Sequence, residues 1–194
     1  MQRRTLLAGF AAGAALAAKA ASAQSAAPAN KAGMPASGLS DAVKKHIKDT
    51  MTVGAESLMI SRIAQAKLNV PMGKQFADFE VAEQDGIADV LKSRMMPGAK
   101  PMGTIKAPTD AEVEGNLDAD GKTMVAKFRD MKGGPEFEKS YIQAEIEGHK
   151  KLLGIQDASL QVADDEDETN IAKLAKGRIQ EHLVILADIE KHLG

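Results

Sequence analysis

Five side chains that can bind metal ions fall at positions where a helix would bury them: Glu56, Glu83, Glu145, His149 and His182. Four of them lie three or four residues from a large apolar residue on each side, and Glu145 lies one turn before His149. At that spacing a helix holds each polar group within its apolar stripe. Carboxylates and imidazoles supply the oxygen and nitrogen ligands that iron, manganese and zinc accept. The spacing therefore makes these five residues the candidate ligands of a metal site inside a helical domain.

Burying an unpaired carboxylate is costly, so side chains of this kind must satisfy one another. One hypothesis is a bound iron, manganese or zinc ion. The other is a metal-free network of His–Glu hydrogen bonds that fixes the register of the helices. Ferritin-like di-metal sites use Glu-x-x-His on two helices, whereas this sequence contains no Glu-x-x-His and offers Glu80-x-x-Glu83 instead. This departure favours the metal-free network, and both hypotheses stay open.

Other polar groups are weaker candidates for a site. The acids Asp164–Glu168 begin a helix, where they would complement its dipole and face solvent. Met95-Met96 is more typical of loop packing than of copper binding. His46 and His192 lie near helix ends, and we predict that both are exposed.

The composition limits the chemistry further. The chain has no Cys, which excludes disulfides, thiol nucleophiles and Cys-ligated metals. It also has no nucleophile motif and no Gly-rich phosphate loop after a strand. Hydrolase and nucleotide-binding functions therefore have no support, and the sequence favours a non-enzymatic role.

The elements that must position these groups are predicted to be helices. Apolar residues recur at helical spacing over 41–68, from Pro71 to about 95, after Gly134-Pro135, and behind the acids at 164–168. Residues 96–118 form a long connection, followed by a short helix over about 119–131. Aromatic residues make up only 3% of the chain. We therefore predict an all-α fold, a ferritin-like four-helix bundle with a long crossover that carries an extra short helix.

The N-terminal residues are typical of an export signal. Residues 1–23 combine Arg3-Arg4, a short apolar stretch and Ala21-Ser22-Ala23, which predicts a cleaved signal of the twin-arginine type. Residues 24–40 are rich in Ala, Pro and Ser and are predicted to be a flexible linker, so that the helical domain covers 41–194. The predicted location is the periplasm, with no integral membrane span after the signal.

Charge narrows the choice of partners. The net charge is −2, and it becomes −5 once Arg3, Arg4 and Lys19 leave with the signal. An acidic domain of this kind disfavours nucleic acid as a partner. A metal ion and another envelope protein remain as candidate partners, whereas the oligomeric state is not determined by the sequence.

Several short motifs resemble a known family. The segment Tyr141-Ile142-Gln143-Ala144 with His149, and the segment Ile179-Gln180-Glu181-His182-Leu183, resemble the bacterial domain-of-unknown-function family 4142. The resemblance covers roughly residues 41–194. It implies a ferritin-like helical domain exported to the envelope, often labelled a predicted outer membrane protein, with no agreed activity.

The resemblance also implies which site residues differ from the family pattern. Members of the family usually carry an Asp-His pair in the second helix, where this chain has Glu83-Gln84. In the third helix the matching pair is Gly148-His149, so that the acid is lost, whereas Glu181-His182 in the fourth helix is intact. The resemblance therefore implies a site with fewer ligands than the family pattern provides, which Glu83 and Glu145 would partly restore.

Overall fold

The computed structural model describes residues 38–96, 98 and 102–193, and this part of the chain is all-helical, without strands. Its six helices are α1 (Asp41–Lys67), α2 (Pro71–Met95), α3 (Asp110–Asn116), α4 (Ala119–Asp130), α5 (Pro135–Val162) and α6 (Glu166–His192). The prediction of an all-α fold is confirmed at this level, and the first described helix begins at Asp41. The predicted signal, 1–23, and residues 24–37 of the predicted linker lie outside the described residues.

Several helices begin directly after a capping residue or at a proline. Ser40 and Asp118 accept hydrogen bonds from the first turns of α1 and α4, and Pro71 stands in the first turn of α2. The predicted short helix near 119–131 is therefore confirmed. The connection contains a second short helix, α3, which we did not predict. Thr109 and Glu112 form a capping box at its start, and this Thr-x-x-Glu pattern is the sequence signal that indicates a helix there.

Two side chains cap neighbouring helices across the fold. Val70 precedes α2 without a side-chain cap of its own, and Glu138 of α5 accepts hydrogen bonds from the backbone N–H groups of Asn69 (2.8 Å) and Val70 (3.1 Å). Lys67, at the end of α1, donates to three backbone carbonyls where α4 ends. Each of these contacts satisfies helix-terminal groups that the local sequence leaves unpaired.

The four long helices pack through buried stripes. The helix α1 contacts α2 and α5, and α5 contacts α6. In each pair the contacts run in opposite sequence directions, as the bonds Ser57–Glu145 and Ser61–Tyr141 show for α1 and α5, so the paired helices are antiparallel. The short helices α3 and α4 pack against α1. None of the helices in the described part of the chain combines the length and the apolar character that a membrane crossing requires.

The buried faces of α2 and α6 differ from the faces that apolar spacing predicts. Phe79 of α2 is 58% exposed and Leu174 of α6 is 78% exposed, although both belong to the apolar pattern of their helices. The face of α2 that meets α1 instead carries Glu80 and Gln84. Apolar periodicity treats a buried Glu or Gln as solvent-facing, and this difference decides which carboxylate reaches the interior.

Candidate metal centre

Three ligand atoms from three helices converge inside the domain. They are Oε2 of Glu80 on α2, Nε2 of His149 on α5 and Nδ1 of His182 on α6. The His182 nitrogen lies 3.1 Å from the Glu80 oxygen and 3.1 Å from the His149 nitrogen, and the Glu80–His149 distance is 3.4 Å. Ligand atoms bound tetrahedrally to one ion at about 2.0–2.1 Å lie roughly 3.3 Å apart. The triangle therefore has the dimensions of one face of a metal coordination shell.

The remaining ring nitrogens orient the two imidazoles. His149 Nδ1 donates to the backbone carbonyl of Glu145 at 2.8 Å, which turns Nε2 toward the centre of the triangle. His182 Nε2 faces a Glu83 carboxylate oxygen at 3.5 Å, so that its Nδ1 points inward. A carbonyl or carboxylate on the far side of a ligand histidine is the usual second layer of a metal site. Phe76 covers both rings, with centroids 5.9 Å from His149 and 5.2 Å from His182.

The two oxygens of Glu80 have different surroundings. Oε1 accepts hydrogen bonds from Ser57 Oγ (2.6 Å) and Gln84 Nε2 (2.9 Å). Oε2 makes no hydrogen bond of acceptable geometry. Among the residues that the structure describes, it is the one buried side-chain polar atom without a hydrogen-bond partner. Gly54 makes the first arrangement possible, because a Cβ there would lie 2.6 Å from Gln84 Oε1. One oxygen is thus fixed by α1 and α2, and the other faces the two imidazoles without a hydrogen bond.

Glu145 forms a second, hydrogen-bonded carboxyl beside the triangle. Its oxygens contact Ser57 Oγ at 2.7 Å and Ser61 Oγ at 2.9 Å, and Ser61 in turn contacts the Tyr141 hydroxyl at 2.8 Å. Burial, together with the charge of Glu80, raises the pKa of Glu145 to about 8. Ser57 has a single hydroxyl proton and lies between two carboxyls, so a proton on Glu145 completes the bonding. At neutral pH Glu145 is therefore a carboxylic acid.

The triangle is electrostatically polarised even without an ion. Burial opposes the charged form of Glu80, but the adjacent imidazoles of His149 and His182, with the hydroxyl of Ser57, outweigh it and hold the pKa of this carboxyl well below its usual range. Burial also opposes the charged form of His149, yet Glu80 and Glu145 raise its pKa to about 9. The metal-free cluster thus contains an imidazolium beside a carboxylate. A divalent cation can take the place of the imidazolium proton between these two groups.

The five residues predicted from the sequence occupy different places. His149 and His182 belong to the triangle, Glu145 lies against His149, and Glu83 lies behind His182. Glu56 is outside this cluster. It lies near the start of α4, where a Cβ at Gly121 would be 3.5 Å from its Oε2, and burial, with the neighbouring Asp118 and Asp120 against the opposing Lys151, raises its pKa.

Glu80 was missing from our predicted ligands. It lies three residues before Glu83. Glu83 was predicted instead because it lies four residues from both Phe79 and Ile87, which belong to the predicted buried stripe. A separate signal was Gly54 in the middle of α1, which marks a close approach of another side chain.

The prediction that His46 is exposed is wrong. Its side chain is only 3% exposed, and its ring nitrogens lie 2.5 Å from Glu168 Oε1 and 2.8 Å from Gln156 Oε1. Glu168 itself is buried and 3.5 Å from Arg94 Nε, so the acids at 164–168 do not all face solvent. Position near a helix end does not imply exposure when two other helices end at the same place. His192 is exposed, as predicted.

The fold and the cluster together define an all-helical protein with a buried site built from two histidines and a carboxylate. The profile of the family described as "Domain of unknown function (DUF4142)" matches residues 23–189, and the chain belongs to this family. The resemblance drawn from the motifs around His149 and His182 is thereby confirmed. A search of curated proteins and a search of solved structures each gave no significant match.

Proposed function

We propose that this protein binds one divalent transition-metal ion through Glu80, His149 and His182. The observation that carries the proposal is the convergence of three ligand atoms at mutual distances of 3.1–3.4 Å, one of them a buried carboxylate oxygen that makes no hydrogen bond. The imidazoles balance the charge of this oxygen but leave it without a hydrogen bond, and a cation at the centre of the triangle would coordinate it directly.

The ligand set favours some metals over others. Two imidazole nitrogens and one carboxylate oxygen suit Fe²⁺, Zn²⁺ and Mn²⁺, whereas Mg²⁺ and Ca²⁺ prefer oxygen ligands alone and Cu⁺ prefers sulfur. A bound ion of this kind would supply Lewis acidity, or redox chemistry in the case of iron or manganese. The residues of the chain would hold the ligands in place: Ser57 and Gln84 fix Glu80, and the Glu145 carbonyl fixes His149.

A metal-free structural role is the second candidate. The imidazolium of His149 beside the carboxylate of Glu80, and the chain of hydrogen bonds through Ser57 and Ser61, favour it because they satisfy most of the cluster without an ion. In that case the cluster would fix the register of α1, α2, α5 and α6 in an envelope protein.

The proposal extends to the fold and the location. The long connection between α2 and α5, which carries α3 and α4, supports a ferritin-like four-helix bundle. The Arg3-Arg4 pair of the predicted signal supports export to the periplasm. Association with the outer membrane would follow only from the label of the family.

Metal content and affinity test the proposed site directly. Protein exported natively and purified without chelator should contain one equivalent of iron, zinc or manganese per chain by elemental analysis. After chelation, Glu80→Gln and His182→Ala should each weaken rebinding by about 100-fold or more, because each removes one of three ligands. Saturating metal should raise the melting temperature of the wild type by roughly 5–10 °C, from about 2.7 kcal/mol of linkage at a hundredfold excess over the dissociation constant.

Matched controls separate the two candidate functions. His192→Ala and Glu181→Gln remove an exposed histidine and an exposed acid from α6 and should leave metal affinity unchanged. If the wild type takes up no metal and its melting temperature ignores added Fe²⁺, Zn²⁺ and Mn²⁺, while His182→Ala is destabilised, the structural role is correct and the metal site is not.

A further inference from the structure

The candidate site is closed to solvent except beside one of its neighbours. Glu80, His149 and His182 are buried, as are Ser57 and Gln84 around them. Glu83 is the exception among the polar side chains that contact this group, because 16% of its side chain is exposed. Its Oε2 lies 3.5 Å from His182 Nε2 on one side and 2.8 Å from Arg178 Nε on the other. Glu83 therefore links the buried cluster to the surface.

Glu83 and Arg178 lie in a groove between α2 and α6. The groove encloses about 790 Å³, and its walls are mainly apolar, formed by Phe79, Ile87, Val90, Ile105, Ile171 and Leu174. The helices α2 and α6 are not among the closely packed pairs of the fold, unlike α1 with α2 or α5 with α6. The Glu83–Arg178 ion pair is the part of the groove wall that lies next to the candidate ligands.

The His182 ring extends across this wall. One nitrogen, Nε2, faces Glu83 on the groove side, and the other, Nδ1, faces Glu80 and His149. The imidazole of His182 therefore lies between Glu83 and the other two candidate ligands.

We propose that a divalent metal ion enters the site through the α2/α6 groove, where Glu83 receives the ion and Arg178 occupies the place of the cation until it arrives. This route rests on the proposed function, because an ion enters the domain only if Glu80, His149 and His182 bind it. The side chain of Arg178 is 51% exposed, so it can leave Glu83 without unfolding the helix, and Glu181 at 2.8 Å provides an alternative partner.

The route predicts a separation of rates from affinity. Arg178→Ala removes the cation that competes for Glu83, so association of Co²⁺ or Zn²⁺ should become roughly tenfold faster. Dissociation into excess chelator should accelerate to a similar extent, because the same barrier is lowered from both sides. The equilibrium dissociation constant should change by less than about threefold, since Arg178 contacts none of the three ligands. Stopped-flow absorbance with Co²⁺ and a chromogenic chelator for Zn²⁺ measure both rates.

A second variant tests the groove itself. Ala82 is exposed and lines the groove one residue before Glu83. Ala82→Trp should fill the groove and slow both association and dissociation roughly tenfold, again with little change in affinity. Lys176→Ala is the matched control, because it removes a partly exposed α6 cation that pairs with Asp157 of α5, away from the groove, and it should leave both rates as in the wild type.

The outcomes distinguish the route from the site. If the wild type binds no metal at equilibrium, the proposed function is overturned and the route falls with it. If the wild type binds one ion, but Arg178→Ala and Ala82→Trp keep wild-type rates within twofold, the route alone is overturned. Opposite changes of the rates in these two variants, with the Lys176→Ala rates unchanged, support entry past Glu83.

Discussion

At the scale of single residues, the chemistry of the cluster depends on where two protons are held. At neutral pH His149 carries one, since its pKa is raised to about 9, and Glu145 carries another, since its pKa is raised to about 8. A divalent ion bound to Glu80, His149 and His182 requires a neutral His149. An ionised Glu145 would then balance the second positive charge of the ion, so both protons are in competition with the metal.

This competition predicts that metal affinity rises with pH. Between pH 6 and 8 the logarithm of the association constant should increase by between one and two per pH unit, and the dependence should flatten above about pH 9. In Glu145→Gln the increase should fall to about one per unit, because only the His149 proton remains. Isothermal titration in buffers of different ionisation enthalpy counts the released protons. An affinity that does not change with pH would show that the ligands are not protonated in the metal-free protein.

At the scale of the elements, the helix ends depend on side chains supplied by other helices. The start of α2 has no side-chain cap of its own, and Glu138 of α5 provides the acceptor for two backbone N–H groups there. Such a contact fixes the turn between α1 and α2, and with it the rotation of α2 that directs Glu80 inward. The position of a candidate ligand on one helix is thus determined partly by a carboxylate on another.

We expect Glu138→Ala to destabilise the domain by about 1–2 kcal/mol, because it leaves the backbone N–H groups of Asn69 and Val70 without their acceptor in a partly buried turn. Denaturant unfolding of the metal-free protein measures the loss. Glu136→Ala is the control, since this exposed acid lies in the same turn of α5, and its effect should stay within about 0.5 kcal/mol. Equal stabilities of the two variants would show that the Glu138 contact does not hold the turn.

At the scale of the whole molecule, a second buried polar group joins several helices near one end. His46 of α1 contacts Glu168 of α6 and Gln156 of α5, and Glu168 also faces Arg94 of α2. Burial opposes the charged form of His46, but hydrogen bonds to Glu168 and Gln156, with the charges of Glu168 and Asp49, raise its pKa above the ordinary value. Both ring nitrogens face oxygen acceptors, an arrangement that favours the imidazolium.

This arrangement predicts a loss of stability as the pH rises. Because the folded pKa of His46 lies above its unfolded value, near 6.5, its contribution is complete below about pH 6.5 and disappears as the pH rises through the folded pKa. The free energy of unfolding of the wild type should exceed that of His46→Gln most at pH 6, and the difference should decrease toward pH 9 by at most about 1.4 kcal/mol per pH unit. A difference that stays constant from pH 6 to 9 would contradict this role.

The sequence by itself determined much of the local structure. Ser40, Pro71, Asp118 and the Gly134-Pro135 pair mark helix starts through capping and backbone geometry, which depend on a few adjacent residues. Helical spacing also indicated that His149 and His182 are buried, since each lies three or four residues from apolar residues on both sides. The motifs around these two histidines pointed to the family whose profile the chain matches.

Only the tertiary structure decided which groups meet. Periodicity gives the angle between residues around one helix but not the rotation of that helix against its neighbours. Glu80 and Glu83 lie on adjoining parts of one helix surface. Packing of α2 against α1, with Gly54 making room for Gln84, directs Glu80 inward and leaves Glu83 at the groove. Glu56 lies apart and His46 is buried for the same reason: the contacts that decide burial come from residues far away in the chain.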